Sequence, residues 1–302
     1  MANLRDIRRR IKSVKNTAQI TRAMQLVAAS KMKKAQDQAT SGRPYADIMN
    51  RLLVNLRERT DEKDHPLLEE RDGGRELILL ITTDKGLCGP LNTNLLRKLL
   101  DEASPQAAYV TVGSKGRQSL IRQKANLLAD FPMKDPVDFA LSKTVSQFII
   151  DQFLNGECDT VKVAFTNFIN TVKQEAMVET LLPIRPIDLG RDKSYVGVGR
   201  EDRAAPVSAT SSDGPDYGGY IFEPGASAVL ETLIPLYIDY EVYQMVLESR
   251  ASEHSSRMVA MKNATDNASQ MIKDLTLDYN KQRQAAITAE LLEITTAMKA
   301  LE

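Results

Sequence analysis

Met258-Val259-Ala260-Met261-Lys262-Asn263-Ala264-Thr265-Asp266-Asn267-Ala268-Ser269-Gln270-Met271-Ile272-Lys273-Asp274-Leu275-Thr276-Leu277-Asp278-Tyr279 is the stretch that decides the fold. Within it Met258, Met261, Thr265, Ala268, Ile272, Leu275 and Tyr279 recur at alternating intervals of three and four, which places them on one stripe of an α-helix. No glycine or proline interrupts residues 236–302, so the expected helix is a rod on the order of 100 Å long. A helix of that length needs a partner along its side. The other end of the chain supplies one, because no glycine or proline occurs before Gly42. Leu4, Ile7, Ile11, Val14 and Ala18 form a matching seam. After a slip, Ile20, Met24 and Val27 continue it, with Lys31 as a further position. Asn3, followed by Asp6, is placed to cap the start. Gly42-Arg43-Pro44 predicts a kink, and Ile48, Leu52, Leu53 and Leu56 carry helix on to Arg59.

Between the rods the period changes. Residues 76–83, 107–112, 126–131, 159–166 and 179–187 read as strands, and 91–103, 114–124 and 137–154 as intervening helices. Strand and helix in alternation imply a parallel or mostly parallel sheet covered by helices. Residues 188–219 are polar and rich in Gly, Ser and Pro, and read as a loop. The fold class is therefore α/β plus long α: an antiparallel two-helix coiled coil formed by the N- and C-terminal segments, with a central small α/β (Rossmann-like) domain. The expected divisions are an N-terminal coiled-coil helix over 1–59, a linker over 60–75, the α/β domain over 76–187, a polar loop over 188–224 and a C-terminal coiled-coil helix over 225–302.

The first rod runs into the α/β domain and the last runs out of it, so a pair must be antiparallel. The last rod is also longer, and should overshoot by roughly 15 Å or more. From Ala285 onward it carries Ile287, Leu291, Leu292, Ile294, Met298 and Leu301, spread around the helix rather than along one stripe. A lone helix that is apolar on several sides is expected to sit inside something; fraying or pairing of two such tips is the alternative.

Composition excludes several classes of chemistry. The apolar runs fall far short of the roughly 20 residues a membrane-spanning helix needs, so membrane association is expected to be peripheral. The first residues lack the apolar core of a secretory signal, and a bacterial cytoplasmic setting is expected. Cys88 and Cys158 are the only cysteines and His65 and His254 the only histidines, too few for a zinc site, a disulfide framework or a hydrolase triad. The net charge of zero hides ten Lys or Arg against Asp6 and Asp37 in residues 1–41. That basic rod suits a solvated face, a nucleic acid or an acidic protein surface, but no aromatic precedes Tyr45 for base stacking.

The turn Thr82-Thr83-Asp84-Lys85-Gly86-Leu87-Cys88-Gly89 follows the first strand, where open α/β sheets bind ligands. It matches neither GxxxxGK[ST] nor GxGxxG, and Gly113-Ser114-Lys115-Gly116 is an equally weak signal. Glycines serving tight turns are the plainer reading of both. Asp84, Asp130 and Asp135 have no spacing that marks a general acid and base. No catalytic, cofactor-binding or metal-binding set is read; a nucleotide-binding α/β enzyme with oligomerising helical arms is the competing interpretation.

Several segments carry a resemblance. They are Arg10-Ile11-Lys12-Ser13-Val14-Lys15-Asn16-Thr17 with Ile20-Thr21-Arg22-Ala23-Met24, then Val27-Ala28-Ala29-Ser30-Lys31-Met32, Asp84-Lys85-Gly86-Leu87-Cys88-Gly89, Ser252 to Asn267, and Tyr279-Asn280-Lys281 with Arg283-Gln284-Ala285-Ala286-Ile287-Thr288. In order and spacing they resemble the gamma subunits of bacterial F-type ATP synthases. The resemblance implies a central-stalk rotor, without a catalytic site or cofactor of its own, that couples ion-driven rotation of a membrane c-ring to ATP synthesis or hydrolysis on a ring of alpha and beta subunits. It implies beta-subunit contacts through Met24, Arg257, Gln284 and Thr288, and a bearing tip at Ile287, Leu291, Leu292, Ile294 and Met298. It further implies a foot at Tyr220, Phe222 and Glu223 facing epsilon and the c-ring, no nucleic acid, and a peripheral place on the cytoplasmic face of the inner membrane. The ending Thr295-Thr296-Ala297-Met298-Lys299-Ala300-Leu301-Glu302 departs from the family's Gly- and Ala-rich tip.

Overall fold

Five consecutive apolar residues, Leu77 to Ile81, are buried only if both faces of their strand are covered. The computed structural model covers both, and it describes residues 4–57, 65–71, 73–133, 135–184, 223 and 225–301. Its elements in chain order are α1 (Leu4–Ser41), α2 (Arg43–Arg57), β1 (Glu76–Ile81), α3 (Leu91–Glu102), β2 (Ala108–Val112), α4 (Ser114–Gln123), β3 (Asn126–Phe131), α5 (Phe139–Leu154), β4 (Thr160–Phe168), β5 (Gln174–Leu182) and α6 (Ala226–Leu301). Contacts divide the chain into two units, Met1–Ala28 with Arg257–Glu302, and Ala29–Ser256.

The second unit is built on a five-stranded sheet ordered β3-β2-β1-β4-β5. β1, β2, β3 and β4 are parallel and β5 is antiparallel to β4. Alternate side chains of β1 face opposite ways. Leu77, Leu79 and Ile81 enter a core completed by α2, α5, the end of α1 and the beginning of α6. Ile78 and Leu80 enter a smaller core under α3 and α4. Each buried aliphatic side chain contributes about 1.5–3 kcal/mol. At the sheet's rim Asp159 accepts from the Arg75 backbone N at 2.9 Å and from its guanidinium, bonds that hold its carboxyl below the usual range. Both cysteines are buried, and burial pushes the Cys158 thiol up to about 11.

The boundary that differs most from the sequence reading is the start of β5. The strand expected over 179–187 is β5, which starts earlier, because Asn170 makes the hairpin without glycine or proline. Its side-chain Oδ1 accepts from Val172 N at 2.9 Å and Lys173 N at 2.7 Å; residues 185–187 lie outside the described residues. α6 starts at Ala226, within a residue of the helix expected from 225, and so runs through Pro235, which lies ahead of the Gly- and Pro-free stretch. Leu230, Ile234 and Ile238 are fully buried around that proline, and their packing offsets the backbone hydrogen bond it removes. At Gly42 the first rod breaks as expected, α1 ending at Ser41 and α2 ending at Arg57. Asn3 lies outside the described residues.

The first unit is a pair of helical segments. Thr21 Oγ1 lies 2.7 Å from Thr265 Oγ1, and the covered residues include Leu4, Ile7, Ile11, Val14, Ala18, Thr21, Met24, Gln25 and Ala28 on α1 and Met261, Ala264, Thr265, Ala268, Ile272, Leu275, Tyr279, Gln282 and Ala286 on α6. The slip expected after Ala18 does not occur. Ile20 and Val27 are 60% and 56% exposed, whereas Thr21 and Ala28 are 9% and 2% exposed. The three-four spacing simply continues, and small Thr and Ala side chains fill it where the helices come close. Lys31 is outside the seam and pairs with Asp135.

Candidate functional site

The C-terminal ends of β1 and β4 are where the strand order reverses, the place at which an open α/β sheet leaves a crevice. Pairing of β1 with β4 stops at Leu80 opposite Ala164, so the next backbone groups on that edge of β4 need other partners. Helix α6 supplies them. Ser249 Oγ accepts from Thr166 N at 3.3 Å, Ser252 Oγ donates to Thr166 O at 3.1 Å, and Glu248 accepts from Phe168 N at 3.3 Å. Ser255 Oγ donates to Thr171 O at 2.9 Å and Ser256 Oγ to Cys88 O at 2.7 Å. The crevice is filled by the chain's own helix. These serines were not singled out one by one in the sequence; the signal was their recurrence at 249, 252, 255 and 256, on one face of a helix that also carries Glu248.

Both glycine-containing turns are likewise satisfied from within. Ser114 N and Oγ donate to Asp84 Oδ1 at 2.9 and 2.7 Å, Lys115 N donates to Thr83 O at 3.1 Å, and Gly116 N donates to Thr82 Oγ1 at 2.8 Å. The first turn of α4, whose free N–H groups would otherwise attract an anion, already holds a carboxylate. Gly113 has φ +99°, and an added Cβ would lie 2.2 Å from Thr82 O, so this glycine serves close packing. In the preceding turn Asn92 Nδ2 donates to Thr83 Oγ1 at 2.8 Å. Asp130 accepts from Thr111 and pairs with Arg117, and Asp135 pairs with Lys31, so the three aspartates are in separate networks. Among the described residues, no group of three His, Cys, Asp or Glu side chains could hold a metal ion, and no helix is long and apolar enough to cross a membrane.

Helix α1 and the end of α6 offer surface instead. All ten Lys and Arg side chains of α1 are exposed, as are Leu26, Ile20 and Val27. With Thr21 opposite Thr265, Leu4 comes level with Gln282 in an antiparallel pair. The last covered residue of α6 is Ala286, and every residue from 287 to 299 is exposed. Ile287, Leu291, Leu292, Ile294 and Met298 are therefore brought together on one end of helix that no other segment accompanies among the described residues. Met24 is half-buried, while Gln284 and Thr288 are exposed. Arg257 is 8% exposed and engaged within the chain. Glu223 is exposed, and Tyr220 and Phe222 lie outside the described residues.

The family model described as ATP synthase matches residues 3–301. The ATP synthase gamma chain of Opitutus terrae is 50% identical over 297 residues, covering 98% of each chain, and that of Akkermansia muciniphila is 47% identical over 303 residues, covering all of both. This chain belongs to the ATP synthase gamma chain family. Among solved structures, a chain of the Tetrahymena thermophila mitochondrial ATP synthase central stalk and c-ring is 26% identical, with a TM-score of 0.57 over 81% of this chain and 99% of that one. A chain of the Euglena gracilis mitochondrial ATP synthase rotor, 20% identical, has the same fold with a TM-score of 0.64 over 94% of this chain and 98% of that one. The family thus accounts for both the helical pair and the sheet.

Proposed function

We propose that this chain is the central-stalk rotor of an ATP synthase, coupling ion-driven rotation of a membrane ring to ATP synthesis or hydrolysis performed on other subunits. The observation that carries the reading is the end of α6, where Ile287, Leu291, Leu292, Ile294 and Met298 are exposed around the helix with no partner segment among the described residues. Apolar surface of that extent costs free energy in water and is offset when it turns inside a sleeve of another protein. The family membership supports an alpha and beta ring as that sleeve. No catalytic site is assigned to this chain, since its crevice is filled by α6 and the first turn of α4 holds Asp84.

In this reading residues 1–59 and 225–302 form the shaft, 60–75 link it to the α/β domain of 76–187, and 188–224 belong to the foot. Gln284 and Thr288 present side chains to the beta subunits, Met24 meets them from α1, and Arg257 is the least accessible of the four. The exposed cations of α1 favour an acidic protein surface. Glu223, with Tyr220 and Phe222, faces epsilon and the c-ring, at the cytoplasmic side of a bacterial inner membrane.

The test is co-purification of the tagged chain from detergent-solubilised membranes. Recovery with three alpha and three beta chains and ATP hydrolysis, with ATP-driven ion pumping lost when residues 258–302 are removed, is the expected result. Recovery of the chain alone, or as a homodimer with its own activity, would overturn the reading.

A further inference from the structure

The segment between β3 and α5 crosses both long helices twice, and every contact lies within the second unit. At the first crossing Lys31 Nζ of α1 donates to Asp135 Oδ2 at 2.6 Å. The same oxygen lies 3.5 Å from Arg250 Nη2 and 3.7 Å from His254 Nε2, both on α6. Arg250 Nη1 also donates to Glu253 Oε2 at 2.5 Å and to Met133 Sδ at 3.5 Å. Two helical turns along, at the second crossing, Gln38 Nε2 of α1 donates to Val137 O at 2.9 Å and lies 3.3 Å from Tyr243 Oη of α6. The Phe139 ring meets Tyr243 edge-on, with centroids 5.3 Å apart.

The electrostatics hold the first crossing closed. Burial pushes the Asp135 carboxyl up, but the Lys31 hydrogen bond and the Arg250 and His254 side chains outweigh it and bring it below its ordinary value. Asp135 is thus ionised at neutral pH. Arg250, Glu253 and His254 are buried, so losing the carboxylate leaves charge in a poorly solvated place.

We infer that Met133 and residues 135–139 act as a strap that fastens α1 and α6 to the sheet so that the three turn together, with Asp135 as the positioning residue of the torque path. The inference rests on the rotor reading and adds to it where load passes from the α/β unit into both helices. Without the strap, a load applied to the sheet reaches α1 by way of α2, of apolar packing and of α6, whose Tyr240 Oη donates to Gly42 O at 3.0 Å and whose Tyr243 Oη lies 3.3 Å from Gln38 Nε2; none of these is an ion pair, and neutral contacts resist sliding less than a directed ion pair does.

The experiment uses the purified complex with Asp135→Asn, which keeps the side chain's shape. Amide exchange in residues 31–38 and 243–254 is expected to quicken about tenfold, while ATP hydrolysis stays near the wild-type rate and ions pumped per ATP fall. Lys31→Ala should do the same more weakly, and the double variant should be no worse than Asp135→Asn alone, because both remove one linkage. Unchanged exchange and pumping, or hydrolysis and pumping falling in step, would overturn the strap. If Asp135→Asn does not fold, Lys31→Ala and Gln38→Ala decide by the same readouts. A wild-type chain that never enters the complex would count against the rotor reading instead, and exchange on the isolated full-length chain would still decide the strap.

Discussion

From Met245 to Ser256 helix α6 is buried on every side, and Glu248, Arg250 and Glu253 are covered as fully as Leu247 and Ala251. From Met261 to Ala286 the same helix is covered along one stripe, and from 287 to 299 not at all. The difference is one of neighbours: a helix enclosed by a sheet and several helices must satisfy polar groups in all directions, while a helix with one partner needs only a seam. Polarity along the sequence therefore reports burial in the paired stretch and misreports it in the enclosed one.

The largest break in that comparison should come from Ser252, fully buried and donating to Thr166 O. Ser252→Leu overpacks the site and orphans the carbonyl, and is expected to cost about 3 kcal/mol in a urea titration. The same change at exposed Ser269 should stay within about 0.5 kcal/mol. Equal effects would mean that the enclosed and paired stretches do not differ.

A middle-sized effect is expected at the polar contact in the seam. Thr21→Val or Thr265→Val alone removes the cross-helix hydrogen bond and should cost about 1 kcal/mol or less, since the remaining hydroxyl can donate to its own helix at Ala18 O or Met261 O. The double variant packs two apolar side chains and should recover most of that loss by thermal unfolding. Additive losses would show that the hydroxyls have other partners. The smallest effect is expected beyond the seam: Leu291→Ser should leave the isolated chain's unfolding midpoint within the equivalent of about 0.5 kcal/mol, and a larger drop would mean the exposed end is packed in solution.

Legibility followed the same division. The stripe from Met258 to Tyr279 was readable because two-helix packing repeats every three and four residues. Ile20 and Val27 misled because hydrophobicity was taken for position, when Thr21 and Ala28 occupy it. The strands β1 to β4 were readable from their apolar runs, but the start of β5 was not, since Asn170 turns the chain with a side chain. The serines of α6 carried no reading of their own in the sequence beyond the resemblance, because only the sheet beside them reveals backbone groups in need of partners. The end of α6 was legible as unaccompanied from the unequal lengths of the two rods alone.

The contact between Thr21 and Thr265 also works as an alignment mark. Sliding one helix by a heptad moves it about 10 Å and keeps apolar residues in the seam, so hydrophobic packing tolerates the slide. It would set Thr21 against Met258 or Ile272 and Thr265 against Val14 or Ala28, and the cross-helix hydrogen bond would be gone. This polar pair thus marks, together with the contact of Gln38 with Tyr243, how far α6 protrudes, in the way notches fix the extension of a telescoping tube.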